Sequence, residues 1–209
     1  MNDSSKIQLS PFEQQLVTNY EWLLTKNGIL EKIKGSLGIL QQRQQELLQQ
    51  AGSFLPPEVL TVSAKISRGE NYLGLPYLML DQPRYFEKEN IFAVRTMFWW
   101  GHFFSCTLQL SGMYKEKYVP SLIAAFDQLL SEDFYISYNS SQWDHHFGEE
   151  NYKPLHELDI VQFTQHLQSH PFIKLAKKIS LDDWDTIEEK LLDAYRLLIQ
   201  LKKVERFDV

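Results

Sequence analysis

The sequence contains a single cysteine, Cys106, and no long apolar run. One cysteine excludes an internal disulfide, which is typical of proteins in a reducing compartment. No stretch of about 18 apolar residues is present, so we expect no membrane-spanning helix. The first residues, MNDSSKIQLS, are polar and lack the apolar centre of a signal peptide. We therefore expect a soluble cytoplasmic protein.

Basic residues are also few. The 209 residues include 21 lysines and arginines against 27 acidic residues, which gives a net charge of −6. The basic residues form no stripe, so the composition argues against a nucleic-acid backbone and against an anionic membrane surface as partners. The P-loop, the G-x-G-x-x-G fingerprint and the G-x-S-x-G motif are missing as well. We expect no cofactor.

Apolar residues, by contrast, make up 44% of the chain, and aromatic residues make up 13%. This proportion is enough to build a full hydrophobic core, and it argues against a disordered chain. No internal repeat and no biased linker divides the sequence. We therefore predict a single α+β domain over residues 1–209.

Residues 10–50 predict an N-terminal helical hairpin. The sequence SPFE, which starts at Ser10, has the form of a capping box, and apolar residues then recur on one helical face up to Leu24. Gly28 is expected to end this first helix, because glycine favours the left-handed cap conformation. A second helix is expected over residues 29–50. The hairpin either packs on the protein's own sheet or pairs with a second subunit.

Residues 60–138 predict the sheet core. After residue 60 the apolar residues change from the period of a helix to that of a strand, and turns separate the strands. Four strands, with a fifth at residues 134–138, are expected to form a four- to five-stranded antiparallel meander packed by helices. Residues 155–205 predict the C-terminal helices, including a short one over residues 172–179.

The most informative segment is the aromatic stretch 91–110, IFAVRTMFWWGHFFSCTLQL. Gly101 followed by His102 predicts a hairpin with a two-residue type II′ turn, which places Trp100 opposite Phe103. In this register one face of the hairpin is apolar except for a single charge, and we expect it to face the core. The residues of this face are Ala93, Arg95, Met97, Trp99, Phe104, Cys106, Leu108 and Leu110.

The other face of the predicted hairpin is mixed. It has an aromatic end with Phe98, Trp100 and Phe103, and a hydroxyl-rich end that includes Thr107. Three environments fit such a face: covering helices, a small-molecule pocket or a subunit interface, since aromatic residues are common in both kinds of binding site. We assign these four residues to a candidate ligand-binding site.

Arg95 and two histidines complete the candidate site. Arg95 lies on the predicted core face, where an unpaired charge is costly, so it requires Asp81, Glu87 or a ligand anion as its partner. A structural ion pair is the preferred prediction. His145 and His146 belong to the polar and aromatic segment WDHHFGEE, and adjacent histidines with nearby carboxylates can bind a divalent metal or shuttle protons.

Two other arrangements are weaker candidates for chemistry. His166 and His170 share a helical face, but the residues between them include no carboxylate and Pro171 follows, so we expect no metal site. Cys106 lies about 13 Å from His102 along the predicted strand, which is too far for a nucleophile and its base. We expect Cys106 to be a buried, unreactive thiol.

These patterns favour a non-catalytic binding or interaction protein that forms a homodimer or binds a small molecule. The alternative is a small-molecule enzyme that uses the His145/His146 loop beside the sheet. The two hypotheses make different structural predictions. An enzyme requires a carboxylate or a metal within hydrogen-bonding distance of one of these histidines, inside a pocket. A binding module requires an aromatic groove without such a titratable cluster.

Overall fold

The computed structural model describes residues 7–51 and 55–201. Seven strands form one antiparallel sheet: β1 (Lys65–Tyr72), β2 (Leu75–Phe86), β3 (Ile91–Trp99), β4 (Phe103–Ser111), β5 (Phe134–Ser137), β6 (Tyr152–Pro154) and β7 (Phe172–Ser180). Their order across the sheet is β1-β2-β3-β4-β7-β5-β6. The predicted α+β class with an antiparallel sheet is confirmed, but the sheet has seven strands and not four to five.

Helices cover one side of this sheet. The α-helices in the described residues are α1 (Pro11–Thr18), α2 (Tyr20–Ala51), α3 (Pro57–Leu60), α4 (Gly112–Ala124), α5 (Phe126–Ser131), α6 (Ile160–Ser169) and α7 (Ile187–Ile199). Helices α2, α3, α4, α5 and α7 contact the sheet, and most buried apolar residues form one core beneath the helices. None of the described helices is both long enough and apolar enough to cross a bilayer. The predicted helical residues 202–205 lie outside the described part of the chain.

The predicted N-terminal helical hairpin is wrong. Ser10 does begin a helix through a capping box, in which its hydroxyl accepts a hydrogen bond from the Glu13 amide at 3.3 Å. This helix is only eight residues long, and α2 then runs through Gly28 without interruption. Gly28 costs α2 about 1 kcal/mol relative to alanine. It does not end the helix, because the following turns bury Leu30 and Ile33 in the core.

The prediction of a short helix over residues 172–179 is also wrong, since these residues lie in β7. The segment FIKLAKKIS fits two periods, because its apolar residues suit a helical face and also alternate as in a strand. In the structure β7 hydrogen-bonds to β4 on one side and to β5 on the other. Pairing with two strands that are distant in sequence therefore outweighs the local pattern.

The turn between β3 and β4 has three residues and not the predicted two. Trp99 pairs with Phe103, so Trp100, Gly101 and His102 form the loop. Gly101 has a φ of 73°, a conformation that glycine adopts without strain. The predicted pairing of Trp100 with Phe103 is thus wrong by one residue, and this slip turns the side chains of β3 over relative to those of β4.

The two sides of the sheet differ in their cover. The helix face is the side covered by the helices, and its hairpin residues include Phe98, Phe104, Cys106, Leu108 and Leu110. The loop face is the opposite side, covered by residues 138–151 between β5 and β6. Its hairpin residues include Arg95, Met97, Trp99, Phe103 and Thr107. The predicted core face therefore mixed β3 residues of the loop face with β4 residues of the helix face.

Candidate functional site

The covering loop, residues 138–151, is attached to the loop face through its backbone. The Tyr72 hydroxyl accepts hydrogen bonds from the amide of His145 at 2.6 Å and from the amide of His146 at 3.0 Å. The Phe147 ring stacks on Tyr152, with ring centroids 4.6 Å apart. These contacts fix the backbone at both histidines and bring His145 over the sheet.

An ion pair lies under the covering loop. The Arg95 guanidinium contacts the Asp81 carboxylate twice, with Nε 2.7 Å from Oδ1 and Nη2 3.1 Å from Oδ2. Both residues are buried and are direct neighbours on β2 and β3. Bidentate pairs of this kind are the strong ones among charge-assisted hydrogen bonds. The predicted structural ion pair of Arg95 is thus confirmed, with Asp81 as its partner.

His145 is the third member of this network. Its Nε2 lies 3.2 Å from Nη1 of Arg95. A guanidinium can only donate, so Nε2 accepts and the ring is neutral, with its proton on Nδ1. Burial, followed by the positive charges of Lys174 and Arg95, holds the pKa of His145 well below its usual value. The ring therefore stays uncharged at neutral pH and has its Nε2 lone pair occupied.

Lys174 joins the network from β7, and the sequence-based prediction missed it. Its side chain is fully buried, and Nζ donates to the backbone carbonyl of Asp144 in the covering loop. Burial, with a smaller effect of the Arg95 charge, lowers the pKa of Lys174 to about 7. The strand period of FIKLAKKIS contains the signal for this position, because Lys174 has the opposite parity to the buried Ile173 and Leu175.

Three of the predicted site residues meet here. Arg95 and His145 are in direct contact, and Thr107 lies opposite Arg95 on β4. The Thr107 side chain hydrogen-bonds to Tyr152, whose pKa is raised by its complete burial. His146 is adjacent, but its ring is oriented along the loop and accepts a hydrogen bond from the Gly148 amide at 3.2 Å.

The predicted aromatic residues are divided between different places. Phe103 lies on the loop face, where its ring centroid is 4.9 Å from that of Phe147. Phe98 lies on the helix face against Phe104, and Trp100 lies in the turn. The rings of Phe98 and Trp100 contact each other, with centroids 6.2 Å apart, but Phe103 lies on the opposite side of the sheet, so the three aromatic residues do not form one surface.

His166, His170 and Cys106 lie outside this network. The rings of His166 and His170 stack, and Nε2 of each ring donates a hydrogen bond to a backbone carbonyl. Within residues 7–51 and 55–201, no three His, Cys, Asp or Glu side chains are grouped so that they could hold a metal ion. Cys106 is buried on the helix face as predicted, and burial raises the pKa of its thiol to about 12.

An apolar groove lies on the other side of the sheet, between α2 and α7. Its volume is about 380 Å³, and Trp184 and Phe104 give it an aromatic wall. Ile29, Ile33 and Leu37 supply the aliphatic wall. Charged residues line it as well, but no histidine does.

The N-terminal arm, residues 11–24, comprises α1 and the start of α2. Every residue from 7 to 25 is exposed, and the first buried residue of α2 is Leu30. Seven large apolar side chains of the arm are between 44% and 73% exposed. They are Phe12, Leu16, Val17, Tyr20, Trp22, Leu23 and Leu24.

The molecule therefore has a closed polar network and an open apolar surface. The network pairs Arg95 with Asp81, and its contacts with His145 and with the Asp144 carbonyl hold the covering loop against the sheet. The groove and the arm have no cover within the described residues. No protein-family model, no curated protein and no solved structure matches the chain.

The Tyr72 hydroxyl is expected to stabilise the covering loop. Replacing Tyr72 with phenylalanine leaves two loop amides without their acceptor, which costs about 1–3 kcal/mol for partly buried groups. We expect faster amide hydrogen exchange at His145 and His146. Tyr77→Phe is the matched control, since the Tyr77 hydroxyl has no hydrogen-bond partner in the described structure. Equal exchange rates in the two variants would contradict the role of Tyr72.

Proposed function

We propose that this protein is a non-catalytic interaction module that forms a homodimer through its N-terminal helices. The observation that supports the proposal is the N-terminal arm, whose seven apolar side chains contact no other part of the described chain closely enough to be covered. A soluble monomer rarely exposes such a concentration of apolar surface. Contiguous apolar patches larger than a few hundred Å² mark interaction sites.

The exposed area is sufficient for a stable interface. With roughly 150–250 Å² for each aromatic side chain and somewhat less for each aliphatic one, the exposed fractions correspond to about 800 Å² per copy. A protein interface of standard size buries about 800 Å² on each partner. The arm alone therefore accounts for one side of a dimer interface.

The alternative, an enzyme that uses the His145/His146 loop, has weaker support. The side chain that contacts Nε2 of His145 is the Arg95 guanidinium and not a carboxylate. Among residues 7–51 and 55–201, the carboxylate that pairs with the His146 ring is that of Glu150, at 3.7 Å, and it is largely exposed. A neutral histidine with its lone pair occupied is poorly suited to proton transfer.

A small apolar molecule in the groove between α2 and α7 is a second candidate for a ligand. The groove volume of about 380 Å³ and its aromatic wall support this candidate, because small-molecule sites are concave, mainly apolar and of similar size. A thermal-shift screen of the native protein with apolar metabolites tests it. A melting temperature that no compound raises would count against a ligand in this groove.

The homodimer is tested by native mass measurement. Wild-type protein is expected at twice the chain mass of 24.7 kDa. Leu24→Glu introduces a charge into the arm and is expected to raise the dimer dissociation constant at least about tenfold, equivalent to about 1.4 kcal/mol.

Val161→Glu is the matched control, because it makes the same kind of change on the surface of α6. Val161 is 70% exposed and Leu24 is 63% exposed. We expect the control to remain dimeric. A wild-type protein that is monomeric at high micromolar concentration, or a Leu24→Glu variant as dimeric as the control, would contradict the proposal.

A further inference from the structure

The solvent-facing side of α2 has an ordered pattern of its own. Leu24, Gly28, Gly35 and Ile39 are exposed and follow one another at intervals of four, seven and four residues. With 3.6 residues per helical turn, these positions fall within an arc of about 60°. The stripe has an apolar side chain at each end and glycines near its middle.

The fold of a single chain does not explain these two glycines. A Cβ atom built on Gly28 or Gly35 would meet nothing within 4 Å, and neither residue has a positive φ. Glycine also weakens a helix interior relative to alanine. What the missing side chains provide is room for another backbone to approach α2 closely.

The stripe is also symmetric about its centre, which lies between Glu31 and Lys32. In an interface with twofold symmetry, residue i of one copy contacts residue j of the other, and residue j contacts residue i. An antiparallel pairing around this centre brings Leu24 against Ile39 and Gly28 against Gly35. The apolar ends then cover each other while the glycines lie where the helices are closest.

The charges at the centre fit this arrangement. Glu31 of one copy lies beside Lys32 of the second copy, and Lys32 has no ion-pair partner in the described part of its own chain. The two Glu31 carboxylates approach each other near the axis. Each of them is also near a positive charge of its own chain, since Arg68 lies 3.4 Å away.

We infer that two copies of this chain pair through an antiparallel crossing of their α2 helices, with Leu24 against Ile39 and Gly28 against Gly35. The inference rests on the proposed homodimer and specifies its geometry. The exposed apolar area of α2, continued by the N-terminal arm, is the surface that a second copy covers. The alternative is that the stripe binds a helix of a different protein. The test below distinguishes this alternative from pairing of two copies.

Cysteine cross-linking tests this register. Leu24→Cys and Ile39→Cys chains are coexpressed and oxidised at low micromolar concentration, and we expect a disulfide between the two kinds of chain. Each variant alone is expected to remain unlinked, because two copies of residue 24 lie about 22 Å apart in this pairing. A disulfide requires Cα atoms within about 7 Å. The natural Cys106 is buried and does not interfere.

Controls separate this inference from the proposed homodimer. Val161→Cys places an exposed cysteine on α6, and it should stay unlinked. A monomeric native mass would overturn the homodimer itself. A dimeric mass without the mixed cross-link, or with Leu24→Cys linked to itself, would overturn only the antiparallel register.

Gly35→Leu provides a second test, because it should weaken the dimer without lowering the stability of the single chain. A Cβ atom at this exposed position meets nothing within 4 Å, and leucine favours a helix over glycine, so the melting temperature at low protein concentration should stay equal or rise. The dimer dissociation constant should rise at least tenfold, because the helices can no longer approach. An unchanged dissociation constant would overturn the close crossing at the glycines.

Discussion

Replacing Arg95 with alanine is expected to lower the free energy of unfolding by about 3–5 kcal/mol. The substitution leaves the buried Asp81 carboxylate without a partner, and it removes the donor to His145. An uncompensated buried charge costs far more than the loss of the packing around it. Urea denaturation at pH 7, followed by tryptophan fluorescence, measures the difference.

The double variant Asp81→Asn with Arg95→Met is the control for this prediction. It removes both charges and keeps most of the volume, so it should recover a large part of the stability that Arg95→Ala loses. If the costs of the single variants Asp81→Asn and Arg95→Met add up to the cost of the double variant, the two side chains are not coupled. A loss below about 1 kcal/mol for Arg95→Ala would show that water reaches the pair.

Replacing Lys174 with methionine is expected to stabilise the protein near neutral pH by several kcal/mol. Burial lowers the pKa of Lys174 from 10.5 to about 7 in the folded state. Between these two values the unfolded chain binds the proton more strongly than the folded chain, so the stability of the wild type falls as the pH decreases from 10.5 to 7. The upper limit of this loss is about 5 kcal/mol.

The comparison requires denaturation curves of both proteins at pH 7 and near pH 10. The advantage of Lys174→Met should be largest at pH 7 and should shrink towards pH 10, where wild-type Lys174 is neutral in the folded state and begins to lose its proton in the unfolded state. Lys177→Met is the control for removal of a lysine from the same strand, at a position paired with Glu132 near the surface. It should retain the wild-type pH dependence. Parallel pH curves for wild type and Lys174→Met would contradict the prediction.

Local sequence signals predicted several elements of this fold correctly. The capping box at Ser10 and the alternating segments of β1 to β4 depend on neighbouring residues alone, so a short window contains all the necessary information. The requirement that a buried arginine be paired is similarly general. It predicted an ion pair for Arg95 with Asp81 as one of three candidate partners, and Asp81 is the partner in the structure.

The errors arose where a distant part of the chain decides the outcome. The helical prediction for β7 failed because its neighbours β4 and β5 are far away in sequence. The prediction of which residues share a face of the hairpin failed because a single extra turn residue reverses the side-chain parity between β3 and β4. Lys174 was missed as a consequence of the first error, since only a strand places it under the covering loop. The single-domain organisation stays a prediction.

The position of β7 between β4 and β5 also has a consequence for protein synthesis. As the ribosome produces the chain from its N-terminus, β1 to β4 can pair as soon as they emerge, but one edge of β4 remains open until residues 172–180 follow. That edge includes the apolar Phe104, Leu108 and Leu110, and an unpaired apolar edge is a template for aggregation. A nascent chain of this protein therefore passes through a vulnerable stage that ends only when its last strand is inserted.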